Sequence, residues 1–255
     1  MTNGYKNECA FAKAINKKKY KNLSEKYKEF IKFIFNDIKA NDILECKRYM
    51  TTDKADVYIK LNDVIKNISI KSGIRVSVHA ERIESFTKFL KDIHINEHII
   101  NYLLMYHYGD FTLDGSGITR LPAKDFKERY EKEIRIFNKY VNYKSIIKKI
   151  IQRCLVEGTS RVNTADYIYY VDENLYASKE EIIDYMSNNK AQDIIAPHFS
   201  YLIYQNWNRN IIYNPKLESH RYYCQLKWPS IIDDLKIIRL NNSQKCVNNY
   251  KLIEK

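Results

Sequence analysis

Residues 56–71 contain two short β-prone runs, and along residues 67–71 of the second run polar and hydrophobic residues alternate with a period of two, which is the spacing of a β-strand rather than of a helix. The pattern predicts two strands, over residues 56–61 and 64–71, because the turn-prone pair Asn62 and Asp63 interrupts it. We therefore expect a β-hairpin here, and the rest of the chain is organised around it.

The second predicted strand has two chemically different faces. Ile68 and Ile70 lie on one face, and Asn67, Ser69 and Lys71 lie on the other. The apolar face can pack against the protein interior, while the polar face stays available for chemistry.

Apolar residues recur at helical spacing before and after the hairpin. Ser24 caps a predicted helix that ends near Ala40 and packs on the apolar face of the hairpin sheet, and Ser77 caps another that runs to Ile93. The segment 43–49 fits either a short strand or an extension of the first helix. Further helices are predicted over residues 96–107, 122–140 and 143–155.

The pattern changes in the last third of the chain. From Thr159 onwards polar residues alternate with β-prone ones, apart from a predicted helix over residues 179–188. Gly158 is a natural boundary before this change. We therefore divide the chain into residues 1–157 and an α+β portion over residues 158–255, which can also form one continuous domain.

Charged residues come together at one end of the hairpin. Asp56 opens the first strand, and Lys71 ends the neighbouring strand beside it. The Ser77 helix would place Glu81 and Glu84 in its first two turns. Carboxylates from a strand end and a nearby helix start, together with a lysine, can hold a divalent cation against a phosphate.

The order of Asp56, the triplet Ser69-Ile70-Lys71 and an acid on the following helix resembles the PD-(D/E)XK nuclease superfamily, which includes many restriction endonucleases. The resemblance covers residues 24–90 and implies an α/β fold with a mixed central sheet flanked by helices. It also implies that Asp56 and a glutamate ligate Mg²⁺, that Lys71 steadies the attacking water or the developing charge, and that Ser69 helps position the site.

Two residues depart from the family pattern. Ala55 stands in place of proline before the predicted catalytic aspartate, and Ser69 stands where the family usually has aspartate or glutamate. Some restriction enzymes of this superfamily carry serine there and recruit a glutamate from the next helix, which makes Glu81 or Glu84 the replacement. Glu45 is a further alternative for the second metal ligand.

The same residues also have an ordinary structural interpretation. Asp56 can simply open a strand, Lys71 can end one in solvent, and such a short pattern occurs by chance in many proteins. A nucleic-acid-binding protein without catalysis therefore stays as an alternative. The serine in the usual acid position favours it.

Composition supports a nucleic-acid partner. The 255 residues carry a net charge of +12, which suits the dense negative charge of nucleic acid. An anionic membrane surface would fit the charge equally well, but no basic amphipathic helix with an apolar face rich in Trp or Phe is evident. Without a long apolar run or a signal-peptide pattern, we expect a cytoplasmic protein with no membrane partner.

Two other site classes are excluded by local pattern. The five cysteines form no CxxC pair and have no histidines at ligand spacing, so we expect reduced thiols rather than a structural zinc site. The glycine-rich loop over residues 108–120 lacks the spacing and the Lys-Ser/Thr ending of a P-loop, which excludes nucleotide-triphosphate binding. That loop is interpreted either as a solvent loop or as a DNA contact.

Aromatic residues are interleaved with Arg, Asn, Gln and Lys in the C-terminal portion of the chain. Such segments supply stacking surfaces and donors to base edges in the same place, and packing in the interior is the alternative. The candidate DNA-binding residues are Gln205, Asn206, Trp207, Asn208, Arg209, His220, Arg221, Gln225 and Lys227.

Together with the resemblance, these features predict a Mg²⁺-dependent endonuclease that hydrolyses double-stranded DNA, with type II restriction endonuclease as the leading role. A repair, recombination or phage-defence nuclease of the same superfamily is the alternative role. Residues 1–157 would carry catalysis, and residues 158–255 would help to grip DNA. A homodimer is expected because duplex cleavage needs two active sites or two visits.

Overall fold

The computed structural model describes residues 3–51, 53–118, 120–188, 194–206 and 218–241. Within these residues, ten strands and eight α-helices have defined limits. The strands are β1 (Lys18–Lys19), β2 (Ile43–Arg48), β3 (Val57–Leu61), β4 (Val64–Lys71), β5 (Val76–Arg82), β6 (Tyr167–Tyr170), β7 (Leu175–Ser178), β8 (His198–Phe199), β9 (Leu202–Asn206) and β10 (Tyr223–Trp228). The helices are α1 (Asn3–Ile15), α2 (Glu25–Ile34), α3 (Ile83–Asp92), α4 (Glu97–Tyr108), α5 (Ala123–Arg129), α6 (Glu131–Val141), α7 (Lys144–Ile151) and α8 (Lys179–Asn188). A further helical stretch covers residues 231–241.

The predicted hairpin is confirmed and forms the centre of a six-stranded sheet with the order β1-β2-β3-β4-β6-β7. Strands β3 and β4 pair in antiparallel fashion, whereas β4 and β6 pair in parallel, so the sheet is mixed. Asn62 turns the chain between β3 and β4 with a φ of 52°, a left-handed conformation that Asn adopts more readily than most residues. The segment 43–49, for which the sequence allows a strand or a helix extension, contains strand β2, which pairs with β3.

Helices α1 and α2 cover the apolar face of this sheet. The ring of Phe11 on α1 and the ring of Phe30 on α2 lie 4.9 and 4.7 Å from the ring of Tyr169 on β6. Phe30 belongs to the same buried core as Ile59 of β3 and Ile68 of β4, which confirms the predicted packing of the Ser24 helix on the hairpin. This helix ends at Ile34 rather than near Ala40, since Phe35 adopts an extended conformation with φ −132° and ψ 92°.

A second sheet, with the order β5-β10-β9-β8, is antiparallel throughout. Phe86 of α3 packs beside it, with ring centres 5.6 Å from Phe199 and 6.4 Å from Tyr204. Trp228 is fully buried at the end of β10. These aromatic contacts are interior packing, which agrees with the alternative interpretation of the C-terminal aromatic residues.

The helix predicted to begin at Ser77 is wrong in its first part. Residues Val76–Arg82 form strand β5, and the helix begins only at Ile83. The strand exists because it pairs with β10, which lies far along the chain, and local helical spacing carries no sign of that pairing. Glu81 therefore belongs to a strand, while Glu84 lies in the first turn of the helix.

The remaining helical predictions are confirmed with one correction. The predicted helix over residues 122–140 is two helices, α5 and α6, because Tyr130 leaves the helical region with φ −117° and ψ 28°. Helix α4 is capped by Asn96, whose side chain accepts the His98 N–H at 2.8 Å. Helix α8 has the predicted bounds, and a π-helical turn over Gln152–Glu157 follows α7.

The chain forms two compact units, and each is built from separate segments. The hairpin unit comprises Met1–Ile74, Leu155–Ile182 and Ser230–Lys255, and the second unit comprises Arg75–Cys154 and Ile183–Pro229. This division differs from the predicted boundary at Gly158. Strand β6 follows Gly158 in the sequence but pairs with β4, so the hairpin unit contains residues from both sides of that glycine.

Cys9, Cys46, Cys154 and Cys224 form no disulfide, and burial raises the pKa of Cys46 to about 12. No helix in the described part of the chain combines the length and the apolar character that crossing a membrane requires.

Candidate active site

The start of β3 and the end of β4 bring together three of the predicted site residues. Asp56 precedes β3, and its backbone N–H donates to the Ile68 carbonyl of β4 at 2.9 Å. Because Val57 is registered with Ile68, Asp56 lies opposite Ser69, and Lys71 follows two residues later on the same face. The antiparallel register thus sets the spacing of the three side chains.

Asp56, Ser69 and Lys71 are joined by a closed set of hydrogen bonds. Asp56 Oδ2 accepts from the Ile70 N–H at 2.6 Å, from the Ser69 hydroxyl at 3.2 Å and from Lys71 Nζ at 3.4 Å. Lys71 Nζ also donates to Ser69 Oγ at 2.7 Å and to the Ile70 carbonyl at 3.0 Å. A carboxylate, a hydroxyl and a carbonyl oxygen therefore surround one ammonium group.

The three side chains differ in how far solvent reaches them. Ser69 is fully buried, whereas the side chains of Asp56 and Lys71 are 24% and 12% exposed. Such a half-buried charge pair is screened less by salt than a surface pair. The partial exposure leaves the Lys71 ammonium accessible to a small anionic group such as a phosphate.

Asn67 extends the polar face of β4 towards the start of the strand. The Tyr49 hydroxyl donates to Asn67 Oδ1 at 2.8 Å, and the Asn67 N–H donates to Asp166 Oδ2 at 3.0 Å. Lys179 Nζ donates to the other oxygen of Asp166 at 2.8 Å. No local pattern points to Asp166, because the parallel pairing of β4 with β6 joins positions 99 residues apart.

Glu45, the weaker alternative for a second ligand, lies on β2 opposite Lys60 of β3. Lys60 is four residues from Asp56, so about 13 Å of strand separates the two positions. The Glu45 carboxylate accepts from Tyr58 at 2.9 Å and pairs with Lys47 at 2.6 Å. Hydrogen bonds from Lys47 and Tyr58 lower the pKa of Glu45. These contacts engage Glu45 away from Asp56.

Glu81 belongs to a buried ion cluster in the second unit. Its carboxylate meets Arg153 at 2.8 Å, the Ser85 hydroxyl at 2.6 Å and His79 Nε2 at 2.7 Å. Burial alone would raise the pKa of Glu81, but the hydrogen bonds from His79 and Arg153 lower it to about 2. The guanidinium of Arg153 also lies 4.7 Å from the ring centre of Phe89. The geometry of Glu81 is that of an internal counter-ion.

Glu84 is exposed in the first turn of α3. Like Glu81 it belongs to the second unit, whereas Asp56, Ser69 and Lys71 belong to the hairpin unit. Within the described residues, no group of three or more His, Cys, Asp or Glu side chains is arranged to hold a metal ion. Around Lys71, the hairpin thus offers the Asp56 carboxylate together with neutral oxygen atoms.

Arg221, a predicted DNA contact, holds the glycine-rich loop in place. It donates to Asp110 Oδ2 at 2.8 Å and to the Gly117 carbonyl at 2.9 Å. Asp110 is buried and also accepts the Gly117 N–H at 3.1 Å. A Cβ atom at Gly117 would clash with the Asp110 backbone oxygen, so glycine permits this close approach. The loop is an anchored structure, and Arg221 is part of the anchor.

The structure describes only some of the other predicted DNA-binding residues. Gln225 and Lys227 are half-buried on one face of β10, and burial lowers the pKa of Lys227. His220 lies in a 3₁₀ turn over Glu218–Tyr222, and Gln205 is exposed on β9. The side chain of Asn206 and the whole of Trp207, Asn208 and Arg209 lie outside the described residues.

Comparison with known proteins supports this architecture. No protein-family profile matches the chain, and no curated protein sequence matches it. A solved structure of the restriction endonuclease MspI, in complex with its cognate DNA, is similar with a TM-score of 0.52 and 12% identity, and 88% of each chain is covered. At that identity the likeness concerns the fold. The chain therefore has a restriction-endonuclease-like α/β fold, in which helices flank a mixed central sheet of six strands.

Proposed function

We propose that this chain is a Mg²⁺-dependent endonuclease that hydrolyses phosphodiester bonds of double-stranded DNA, with type II restriction endonuclease as its role. The proposal is carried by the convergence of Asp56, Ser69 and Lys71 on one face of the central hairpin. The restriction-endonuclease-like fold and the net charge of +12 support it. DNA as the partner is supported by the cognate DNA bound to the similar MspI structure.

The oxygen atoms around Lys71 fit a hard divalent cation. The Asp56 carboxylate, the Ser69 hydroxyl and the Ile70 carbonyl already converge on a positive group, at distances from 2.7 to 3.4 Å. Mg²⁺ prefers oxygen ligands and is often held by one or two carboxylates together with substrate phosphates and water. Asp56 and the Ile70 carbonyl would hold the ion, which when bound supplies Lewis-acid polarisation of the phosphate and a more acidic water.

Lys71 and Ser69 have separate roles in this proposal. Lys71 places a positive charge where negative charge grows on the phosphate, and a charge fixed in advance stabilises the transition state. Ser69 accepts a hydrogen bond from Lys71 and donates one to Asp56, so its hydroxyl orients both charged groups. Full burial of Ser69 keeps that hydroxyl in one position.

Of the two glutamates predicted as a second acid, only Glu84 stays a candidate. We leave Glu81 out of the proposed ligand set because Arg153, Ser85 and His79 already engage its buried carboxylate. Glu84, exposed in the first turn of α3, stays a prediction from the sequence alone.

Cleavage of supercoiled plasmid across a Mg²⁺ titration tests the proposal. Asp56→Asn and Lys71→Ala should each lower the cleavage rate by about 100-fold or more, while the fold and most DNA affinity are kept. Lys32→Ala is a matched control, since Lys32 is exposed on α2 and should leave the rate unchanged. If either site variant cleaves at the wild-type rate, the assignment of the site is refuted.

The same assay separates the alternatives. A nucleic-acid-binding protein without catalysis, the alternative that Ser69 in the usual acid position keeps, would retain plasmid and never cut it at any Mg²⁺ concentration. Sequencing of the cut ends separates a restriction enzyme, with one recurring site, from a repair or recombination nuclease that selects DNA structure. Direct linearisation without a nicked intermediate would indicate the two active sites of a homodimer.

A further inference from the structure

One face of the four-stranded sheet in the second unit carries mostly polar side chains, exposed or half-buried, across three neighbouring strands, and we call it the open face. The alternation of buried and accessible residues along β5 and β10 defines it. Its members are Ser77, Ala80 and Arg82 of β5, Ile203 and Gln205 of β9, and Tyr223, Gln225 and Lys227 of β10.

The opposite face of the same strands is buried and fixes the orientation of the open face. Cys224, Leu226 and Trp228 are at most 2% exposed, and Glu81 lies on the same side within its ion cluster. Because side chains alternate, a slip by one residue would bury Arg82 and expose Glu81. The register of β5 on β10 is therefore strongly specified, and Arg82 is held outwards.

The open face carries positive charge and amide groups, and none of its members is a carboxylate. Arg82 and Lys227 lie towards its two ends, and Gln225 lies between them, registered with Gln205 on β9. The guanidinium of Arg82 lies 5.8 Å from the ring centre of its cross-strand neighbour Tyr223. The face thus combines two cations with two adjacent amides.

We infer that the open face contacts duplex DNA and carries part of the sequence preference of the chain, an inference that rests on the proposed function. Charge complementarity selects DNA as the occupant, since two cations and no carboxylate meet a polyanion. Arg and Gln side chains form bidentate hydrogen bonds with guanine and adenine edges, respectively, in the major groove. Arg82, which no sequence pattern singled out, becomes the central contact.

The spacing of the open face agrees with reading of bases. Same-face residues along a strand are about 6.8 Å apart, and two base-pair steps of about 3.4 Å span the same length. The pair formed by Arg82 and Tyr223 is followed, two residues along β10, by Gln225 and Gln205. Neighbouring residue pairs on the sheet can therefore contact bases that are two base-pair steps apart.

Selection of bound DNA tests the inference without relying on cleavage. The full-length chain, in EDTA, is used to retain duplexes from a random-sequence library, and the dissociation constants for the selected duplex and a scrambled duplex are measured at one salt concentration. The variants are Arg82→Ala, Arg82→Lys, Gln205→Ala and Gln225→Ala. The control is Lys88→Ala, which removes an exposed cation of α3 outside the open face. Fluorescence of buried Trp228 verifies that each variant is folded.

We expect the preference for the selected over the scrambled duplex to fall about 5- to 150-fold in the alanine variants and to stay unchanged in Lys88→Ala. Arg82→Lys should lose preference and keep its affinity for the scrambled duplex, because lysine keeps the charge without the bidentate geometry. Unchanged preference in all the open-face variants would overturn the inference, as would an equal loss of affinity on both duplexes.

The same measurements distinguish the inference from the proposed function. Loss of preference in a chain that never cleaves DNA would refute the nuclease and leave the open face as the DNA contact. Site-specific cleavage with unaltered preference in every variant would refute the open face alone. If the wild-type chain retains no duplex from the library, the open face is refuted, and plasmid cleavage in Mg²⁺ alone decides the nuclease.

Discussion

Replacing Glu81 by glutamine should destabilise the second unit and leave the chemistry of the hairpin unchanged. The substitution removes the negative partner of Arg153, whose side chain is 8% exposed and lies 2.8 Å from the carboxylate. Removing one partner of a buried ion pair costs ~3–5 kcal/mol, because the remaining charge is left uncompensated. The contact of Arg153 with Phe89, at 4.7 Å, offsets only part of that cost.

The pKa of Glu81 gives a second value for the stability that its ion cluster contributes. It is lowered from 4.5 to about 2 in the folded protein, which corresponds to about 3 kcal/mol of stability at neutral pH. As the pH falls, the unfolded state binds the proton first, so this contribution is complete above pH 4.5 and is lost as the pH approaches 2. Wild-type protein should therefore lose more stability across that interval than the Glu81→Gln variant does.

Urea unfolding at pH 7 measures the loss of stability. A Trp207→Phe background leaves Trp228 as the single tryptophan, and its full burial in β10 makes its fluorescence report on the second unit. The double variant Glu81→Leu with Arg153→Met removes both charges together. It should recover most of the stability, since replacing a buried pair by apolar groups is often neutral.

Cleavage per folded molecule decides between the two roles of Glu81. A structural counter-ion predicts an unchanged rate and an unchanged Mg²⁺ dependence once the fraction of folded protein is accounted for. If Glu81→Gln unfolds at the wild-type urea concentration and yet cannot cleave, the buried ion cluster is not its function, and Glu81 is a metal ligand as the sequence first indicated.

Three further changes probe the hairpin unit. Ser69→Ala should slow cleavage about 10- to 100-fold at saturating Mg²⁺ in single-turnover kinetics, because hydrogen bonds to two charged groups are lost. Glu45→Gln should leave the same rate unchanged, since about 13 Å of strand separates it from Asp56. Phe30→Ala should cost ~3–5 kcal/mol in urea unfolding, because its fully buried ring packs 4.7 Å from Tyr169.

Each of these three predictions has a result that contradicts it. A wild-type rate for Ser69→Ala would mean that the hydroxyl orients neither charged group. Loss of cleavage in Glu45→Gln would place that carboxylate in the site despite its separation along β2. A loss below about 1 kcal/mol for Phe30→Ala would mean that the core of the hairpin unit relaxes around the missing ring.

The parts of the fold that depend on neighbouring residues could be predicted from the sequence. The hairpin needs only the alternation around Asn62, and the spacing of Asp56, Ser69 and Lys71 follows from its register. Helix α4 is likewise set by its Asn96 cap and local periodicity, and α8 has the bounds that the sequence predicts. These elements form from contacts within a few residues, which a sequence pattern records directly.

The errors come from pairing between distant segments. Strand β5 looks like the start of a helix in the sequence because its partner β10 is distant, with Glu81 and its paired residue Cys224 separated by 143 residues. The role of Glu81 depends on Arg153, and Arg221 meets Asp110 at a separation of 111 residues. A charged side chain in such a pair looks, in sequence, like a surface residue available for binding.

The hairpin site contributes little to the long-range attraction between the protein and DNA. Asp56 and Lys71 are opposite charges 3.4 Å apart, so beyond a Debye length of about 8 Å their fields largely cancel and salt screens the remainder. Affinity for a polyanion must then come from other cations, and the net charge of +12 supplies them. Neutralising Asp56 leaves Lys71 uncompensated, so the change that removes a metal ligand also adds one positive charge facing the phosphate. Loss of cleavage in Mg²⁺ and a gain of affinity measured without metal should therefore occur together in Asp56→Asn.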